Sequence, residues 1–187
     1  MPRNEYQSQL TELREDVVAM SKNVAERLEM GLTALETGDE ELAREVINGD
    51  DEINQLYLDL EQQCTDLIAL QQPVAGDLRF IAASFKIIPD LERIADLDTN
   101  LGAYAETAGN DVFPSVNIQE IGETTLTMLD SAMAAYAEED RELCYAVNDR
   151  DDDLDEECEI ASGTVVRELI EGEKLGEEEI EPFMQDV

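Results

Sequence analysis

Three residues with oxygen-bearing side chains stand one helical turn apart near the middle of the chain: Glu92, Asp96 and Asn100. Residues spaced four apart share one face of an α-helix, so these three would form a row. Carboxylate and amide oxygens bind hard cations, and without His or Cys they favour Mg²⁺, Mn²⁺, Ca²⁺ or iron over zinc. The spacing therefore predicts a candidate metal site.

A second acidic segment lies on the preceding predicted helix and contains Asp50, Asp51 and Asn54. Antiparallel neighbours in a bundle can bring this segment to the row that begins at Glu92. The alternative is that both segments are simply solvated. In a chain with 47 acidic residues, acidic pairs at this spacing arise by chance on many helices.

Two of the few basic residues stand beside these carboxylates, Arg79 next to Asp77 and Arg93 next to Glu92. One interpretation is an anion clamp, because the guanidinium group matches oxyanions in shape and charge. The other, which we favour, is an ordinary ion pair within or between helices.

Histidine is absent from the chain, and this absence weighs against most catalytic arrangements. A general base or a nucleophile triad most often uses histidine. The di-iron carboxylate bundles require a Glu-x-x-His motif on two helices. No glycine-rich loop follows a strand pattern, so no nucleotide phosphate cradle is predicted. We therefore expect a protein that is not an enzyme.

The charge balance is extreme, with 47 acidic and 12 basic residues and a formal charge of −35. Because 43% of the residues are hydrophobic, the chain can still build a core. Such charge is tolerated best in a salty, halophilic cytoplasm, where the Debye length falls to about 3 Å at 1 M salt. An acidic face for a basic partner is the functional alternative. Nucleic acid and anionic membranes would be repelled.

The sequence contains neither a membrane-spanning apolar run nor a signal-peptide pattern, so we expect a cytoplasmic protein. The three cysteines, Cys64, Cys144 and Cys158, are odd in number and lack CxxC spacing. Reduced thiols packed on helices are therefore expected, with neither disulfides nor a zinc site.

Apolar residues recur at three- and four-residue steps almost throughout, which predicts an all-α fold. Predicted helices cover about 6–36, 39–72, 73–108, 117–138 and 140–172, and a sixth begins near Glu177. Gly49 interrupts the second helix, and Pro73 suits the first turn of the third. Asp39 and Asn117 are expected N-caps.

The chain also resembles itself after a shift of 101 positions. Ala34, Asp39, Leu42 and Val46 then fall on Ala135, Asp140, Leu143 and Val147, and the acidic segment at 50–52 falls on 151–153. We therefore predict an internal duplication into two up-down-up three-helix bundles, 1–108 and 116–187.

The segments Gln72-Pro73-Val74-Ala75-Gly76-Asp77-Leu78-Arg79 and Leu91-Glu92-Arg93-Ile94-Ala95-Asp96, with Asp50-Asp51-Glu52-Ile53-Asn54 before them, resemble the PhoU family. The resemblance covers essentially the whole length. It implies tandem three-helix bundles and a regulator of phosphate uptake. It also implies that a Glu-x-x-x-Asp motif binds a multinuclear metal cluster.

Carried over to this chain, the resemblance implicates Glu92 and Asp96, with Asn100 in the same row and Asp51 on the neighbouring helix. The duplicate implicates Asp152 and Asp155 more weakly. The metal stays open among Fe, Mn, Mg and Zn.

The chain departs from the family pattern in three places. Ala95 stands where the family usually has glycine, and Ala103 stands where a carboxylate is frequent. A second Leu-Glu-Arg-Ile-Gly-Asp segment would fall near positions 193 and 197, beyond Val187. We therefore expect a shortened sixth helix and an incomplete second repeat.

The function expected from the resemblance is a metal-binding helical adaptor on the ATPase subunit of a phosphate ABC transporter. A sensor histidine kinase is a further possible partner, and a homodimer is expected. The alternatives are a metal-free scaffold in another signalling circuit and, with less support, a carboxylate-metal enzyme.

Overall fold

The computed structural model describes residues 3–70, 73–108 and 115–171, and every regular element within them is an α-helix. The predicted all-α class is therefore confirmed. The helices are α1 (Arg3–Thr37), α2 (Glu40–Asn48), α3 (Asp50–Leu70), α4 (Ala75–Ala108), α5 (Ile118–Glu138) and α6 (Arg141–Glu171). The sixth helix predicted near Glu177 lies outside the described residues.

The first bundle contains α1, the α2–α3 pair and α4, all in mutual contact. Its core is built from the predicted apolar stripes. Leu13, Val17, Met20 and Val24 of α1 meet residues of α3 and α4, including Ile53, Leu60, Cys64, Ile81, Ile88 and Leu91. Each of these side chains is at most 4% exposed. Burial of apolar surface on this scale, at about 25 cal/mol per Å², is the main force that holds the bundle together.

The second helical unit is attached through α5, which packs on α1 as well as on α6. Gly122 allows this approach, because a Cβ atom placed there would lie 2.4 Å from Cδ1 of Leu32. Within the described ranges α6 contacts α5 and no other helix. The division into 1–108 and 116–187 remains a prediction.

A polar and aromatic junction joins α5 to the first bundle. The rings of Phe80 and Tyr136 stack with centroids 5.4 Å apart. The guanidinium of Arg14 lies 4.6 Å from the centroid of Phe80. Tyr136 and Ser84 share a buried hydrogen bond of 2.8 Å. Burial raises the pKa of Tyr136 to about 12, so its hydroxyl stays protonated and can serve as a donor.

The same turn closes the first helix of each predicted repeat. Gly38 ends α1 with a φ of 65°, and Glu139, 101 positions later, ends α5 with a φ of 55°. In both turns the backbone N–H donates to an alanine carbonyl four residues earlier, Ala34 in one and Ala135 in the other. The left-handed backbone conformation is costly for glutamate. Its recurrence at Glu139, the position equivalent to Gly38, supports a duplicated unit.

The caps that follow these turns are also equivalent. A carboxylate oxygen of Asp39 accepts from the backbone N–H groups two and three residues on, at 3.0 and 3.1 Å. Asp140 makes the same bonds at 2.9 and 3.2 Å. Asn117 caps α5 as predicted, by accepting from the Glu120 N–H.

One predicted helix start is wrong by two residues. Pro73 lies before α4, which begins at Ala75. The Leu78 N–H donates to the Val74 carbonyl at 3.0 Å, so Val74 takes the capping position and Pro73 remains outside the helix. Further along, α4 continues through Pro89.

Candidate metal site

The carboxylate row predicted from spacing lies on a single helix, because Glu92, Asp96 and Asn100 all belong to α4. The helix buries Leu91 and Ala95 toward the core. Glu92 is half-buried, whereas Asp96 and Asn100 are exposed. The row therefore begins at the contact with the neighbouring helix and runs outward to solvent.

Glu92 lies close to α3. Partial burial raises the pKa of Tyr57 on α3, and a hydrogen bond with Glu61 and the charges of Glu61 and Glu92 raise it further. Glu61 on α3 and Glu92 on α4 thus both lie close enough to the Tyr57 hydroxyl for their charges to act on its pKa.

The acidic segment on α3 occupies the first turn of that helix. Asp51 is exposed. The Asn54 amide nitrogen donates to an Asp50 carboxylate oxygen at 2.6 Å within the same helix. In residues 3–70, 73–108 and 115–171, no group of three or more His, Cys, Asp or Glu side chains is close enough to hold a metal ion.

The donor chemistry of the row suits a hard cation, because it offers two carboxylates and one amide oxygen. The described side chains do not bring a third carboxylate to it. The predicted ligand set of Glu92, Asp96, Asn100 and Asp51 therefore stays a prediction.

The residues implicated in the second repeat lie on α6. Asp152 and Asp155 are both exposed there. Among the described helices α6 contacts only α5, and the helix predicted near Glu177 lies outside the described residues. Their role as ligands also stays a prediction.

The two arginines that stood out in the sequence make no described ion pair. Arg79 and Arg93 are exposed. The ion pairs within the described ranges join Arg14 to Glu139 and Arg44 to Glu40 and Glu106. Within these ranges the favoured ordinary ion pair is not formed by Arg79 or Arg93, and the anion clamp stays a prediction.

Two buried charges were missed by the sequence reasoning. Arg27 is 9% exposed and Asp98 is 2% exposed. Burial raises the pKa of Asp98 to about 7, although the positive charge of Arg27 acts to lower it. Nε of Arg27 and Oδ2 of Asp98 have no hydrogen-bond partner among the described residues. No ion-pair contact within 4.0 Å joins the two groups.

The sequence contains a signal for the burial of Asp98. On α4 the buried positions follow Leu91, Ala95, Asp98, Gly102 and Ala105, at alternating steps of four and three. A charged residue inside such a stripe must be buried with the stripe.

No described helix is long and apolar enough to cross a membrane.

The PhoU domain model matches this chain in two stretches, residues 17–105 and 118–185. A phosphate-specific transport system accessory protein PhoU homolog from Aquifex aeolicus is 38% identical over 150 residues, which are 79% of this chain and 68% of that protein. The PhoU protein of Escherichia coli is 30% identical over 168 residues, or 89% of this chain and 68% of that protein. A homolog from Pseudomonas putida is covered over 64% of its length. The chain thus spans about two-thirds of these relatives.

Solved structures show the same fold. The crystal structure of PhoU from Pseudomonas aeruginosa superposes with a TM-score of 0.85 at 29% identity, covering 89% of this chain and 81% of that one. The phosphate transport system regulatory protein PhoU from Streptococcus pneumoniae gives 0.82 at 25% identity, with 90% and 80% covered. Such proteins are regulatory accessory proteins and not enzymes. This chain belongs to the PhoU family.

Proposed function

We propose that this chain regulates phosphate transport as an accessory protein of a phosphate ABC transporter. The observation that carries the proposal is the match of the PhoU domain model to both helical units of the chain. The relatives at 38% and 30% identity are named as accessory proteins of phosphate-specific transport. The absence of histidine agrees with a role that involves no turnover of substrate.

The proposed place of action is the ATPase subunit of the transporter, because both that subunit and this chain are expected in the cytoplasm. A sensor histidine kinase is a second proposed partner, and a homodimer is the proposed form of the protein. At −35 the chain repels free phosphate unless a cation bridges the two. We therefore infer that phosphate is sensed through the transporter or through a bound metal.

Co-isolation tests the proposed partner. The tagged ATPase subunit, purified from phosphate-replete cells in molar KCl, is expected to retain this chain, because salt at that level preserves an acidic fold. The ATPase of an unrelated ABC transporter from the same cells is the control and is expected to retain none. Equal recovery on both ATPases, or recovery on neither, would contradict the proposed partner.

We also propose that the row at Glu92 and Asp96 binds a divalent or iron metal. The support is the family resemblance, the oxygen donors and the approach of Glu92 to α3. A bound cation would offset the repulsion between carboxylates on this face. The chain's own contribution is to hold the first two donors one turn apart on a rigid helix.

Mn²⁺ titration of the protein tests the metal proposal. The Glu92→Gln/Asp96→Asn variant is expected to lose at least one bound equivalent of Mn²⁺, because both charged donors are removed at nearly constant size. Asp149→Asn/Asp153→Asn is the matched control, since it removes an exposed acidic pair with the same spacing on α6. Metal content that is the same in both variants would refute the site. Unchanged melting after dialysis against a chelator would then favour the metal-free scaffold.

A further inference from the structure

In the first repeat, the helical segment that follows the turn at Gly38 is broken into two helices. It ends as α2 at Asn48 and restarts as α3 at Asp50, with Gly49 between them. The φ and ψ of Gly49 are −84° and 1°, values that residues other than glycine also adopt. Backbone conformation therefore does not explain why glycine stands there.

Arg27 of α1 enters the helix at this point. Its Nη2 donates to the carbonyl oxygen of Val46 at 2.7 Å, in a buried hydrogen bond. In an unbroken helix that oxygen would accept from the N–H of Asp50, four residues on. Nη1 lies 2.0 Å from the place that a Cβ atom on Gly49 would occupy. The Val46 oxygen also accepts from the Gly49 N–H at 3.4 Å. The guanidinium thus shares the acceptor that the Asp50 N–H would use in a continuous helix, and it fills the space that a side chain at position 49 would need.

The second repeat provides a comparison within the same chain. After a shift of 101 positions, Gly49 corresponds to Arg150 and Arg27 corresponds to Met128. The turn and the N-cap that precede the two helices are the same. With methionine in place of the arginine and arginine in place of the glycine, α6 runs unbroken from Arg141 to Glu171.

We propose that Arg27 breaks the helix of the first repeat and so makes Asp50, Asp51 and Glu52 the first turn of a separate helix. Insertion of a side chain into the backbone ladder is an established cause of helix kinks. The acidic first turn of α3 then stands at the positive end of a helix dipole, where carboxylates are favoured. The equivalent acids of α6 stand in mid-helix, so the two acidic segments are not equivalent.

Asp98 of α4 is a buried carboxylate on which the positive charge of Arg27 acts to lower the pKa, although no ion-pair contact joins the two groups. Replacing one member of a buried charge pair leaves the other uncompensated, whereas replacing both with neutral residues is tolerated better. The test therefore uses a background in which both charges are removed.

Substitution of Gly49 in two backgrounds tests the proposal by thermal melting. In the native chain Gly49→Ala is expected to lower the Tm by several degrees, because the methyl group displaces the guanidinium from Val46. In Arg27→Met/Asp98→Asn the same change is expected to raise the Tm, because alanine is the better helix former. In Asp98→Asn alone, Gly49→Ala should still lower it, which separates the arginine from the aspartate. Gly163→Ala on α6 is the control and should raise the Tm in every background, since its Cβ would meet no atom within 4 Å.

Hydrogen exchange of the amides of residues 50–53 gives a second readout. In the native chain these amides are expected to exchange as fast as the unprotected amides of the first turn of a helix. In Arg27→Met/Asp98→Asn/Gly49→Ala, protection there should rise by about tenfold relative to amides of α1, because the helix becomes continuous. A Gly49→Ala effect of the same sign with and without Arg27, or unchanged protection at 50–53, would overturn the proposal.

Discussion

Lowering KCl from 2 M to 0.1 M is expected to destabilise the protein by on the order of 5 kcal/mol, which is a large part of the stability of a typical domain. For a chain of this size such a loss lowers the Tm by roughly 10 to 20 °C. The cause is self-repulsion at a net charge of −35. The Debye length grows from under about 3 Å to about 10 Å across this range, so distant carboxylates begin to repel one another. The described ion pairs are largely exposed and contribute little against it.

Thermal melts across a KCl series measure this effect, and sucrose at matched water activity controls for solvent exclusion. A variant with amides in place of exposed carboxylates of α6 should show a shallower dependence on salt. The substituted positions are Asp149, Asp151, Asp152, Asp153, Glu156 and Glu159. A midpoint independent of KCl, or a variant with the full native slope, would show that screening does not sustain this fold.

Asp98→Asn is expected to remove a pH dependence of stability between about pH 4 and pH 7. The folded pKa of Asp98 is raised to about 7 from 3.8 by burial, against the opposing charge of Arg27. The folded state therefore binds a proton that the unfolded state has lost across this range. The associated stabilisation is full below pH 4, is lost as the pH rises through 7, and amounts to up to about 4 kcal/mol.

Denaturant unfolding at fixed high KCl provides the measurement. The free energy of unfolding of the native chain minus that of Asp98→Asn should fall by a few kcal/mol between pH 4 and pH 8. Taking the difference cancels the titration of the other carboxylates, which is common to both proteins. A difference that stays flat, or one that rises with pH, would show that Asp98 is ionised in the folded protein at low pH.

The helices and the caps at Asp39 and Asn117 could be predicted because they follow from local rules. Gly38, Asp39 and Asn117 specify turn and cap geometry within a few residues of sequence. The buried stripe of α1 is visible as a spacing of three and four. The start of α4 was misplaced because proline at 73 is compatible both with a first turn and with the residues before it.

The candidate site could be predicted only as far as a single helix extends. Glu92 and Asp96 share a face of α4 by geometry alone, whereas the distance from that face to Asp51 depends on how α3 and α4 pack. Val46, whose carbonyl accepts from Arg27, lies 19 positions away, and Asp98, whose pKa the charge of Arg27 acts to lower, lies 71 positions away. Such a cluster needs tertiary structure, although both charges interrupt apolar stripes that the sequence displays.

Phosphate uptake by cells tests the regulatory role most directly. Uptake of radiolabelled phosphate is measured over a range of external phosphate in cells lacking this protein, with and without restoration of the native chain. We expect its loss to change how uptake responds to external phosphate and its return to restore the response. Identical uptake curves in the presence and absence of the protein would contradict a role in phosphate transport.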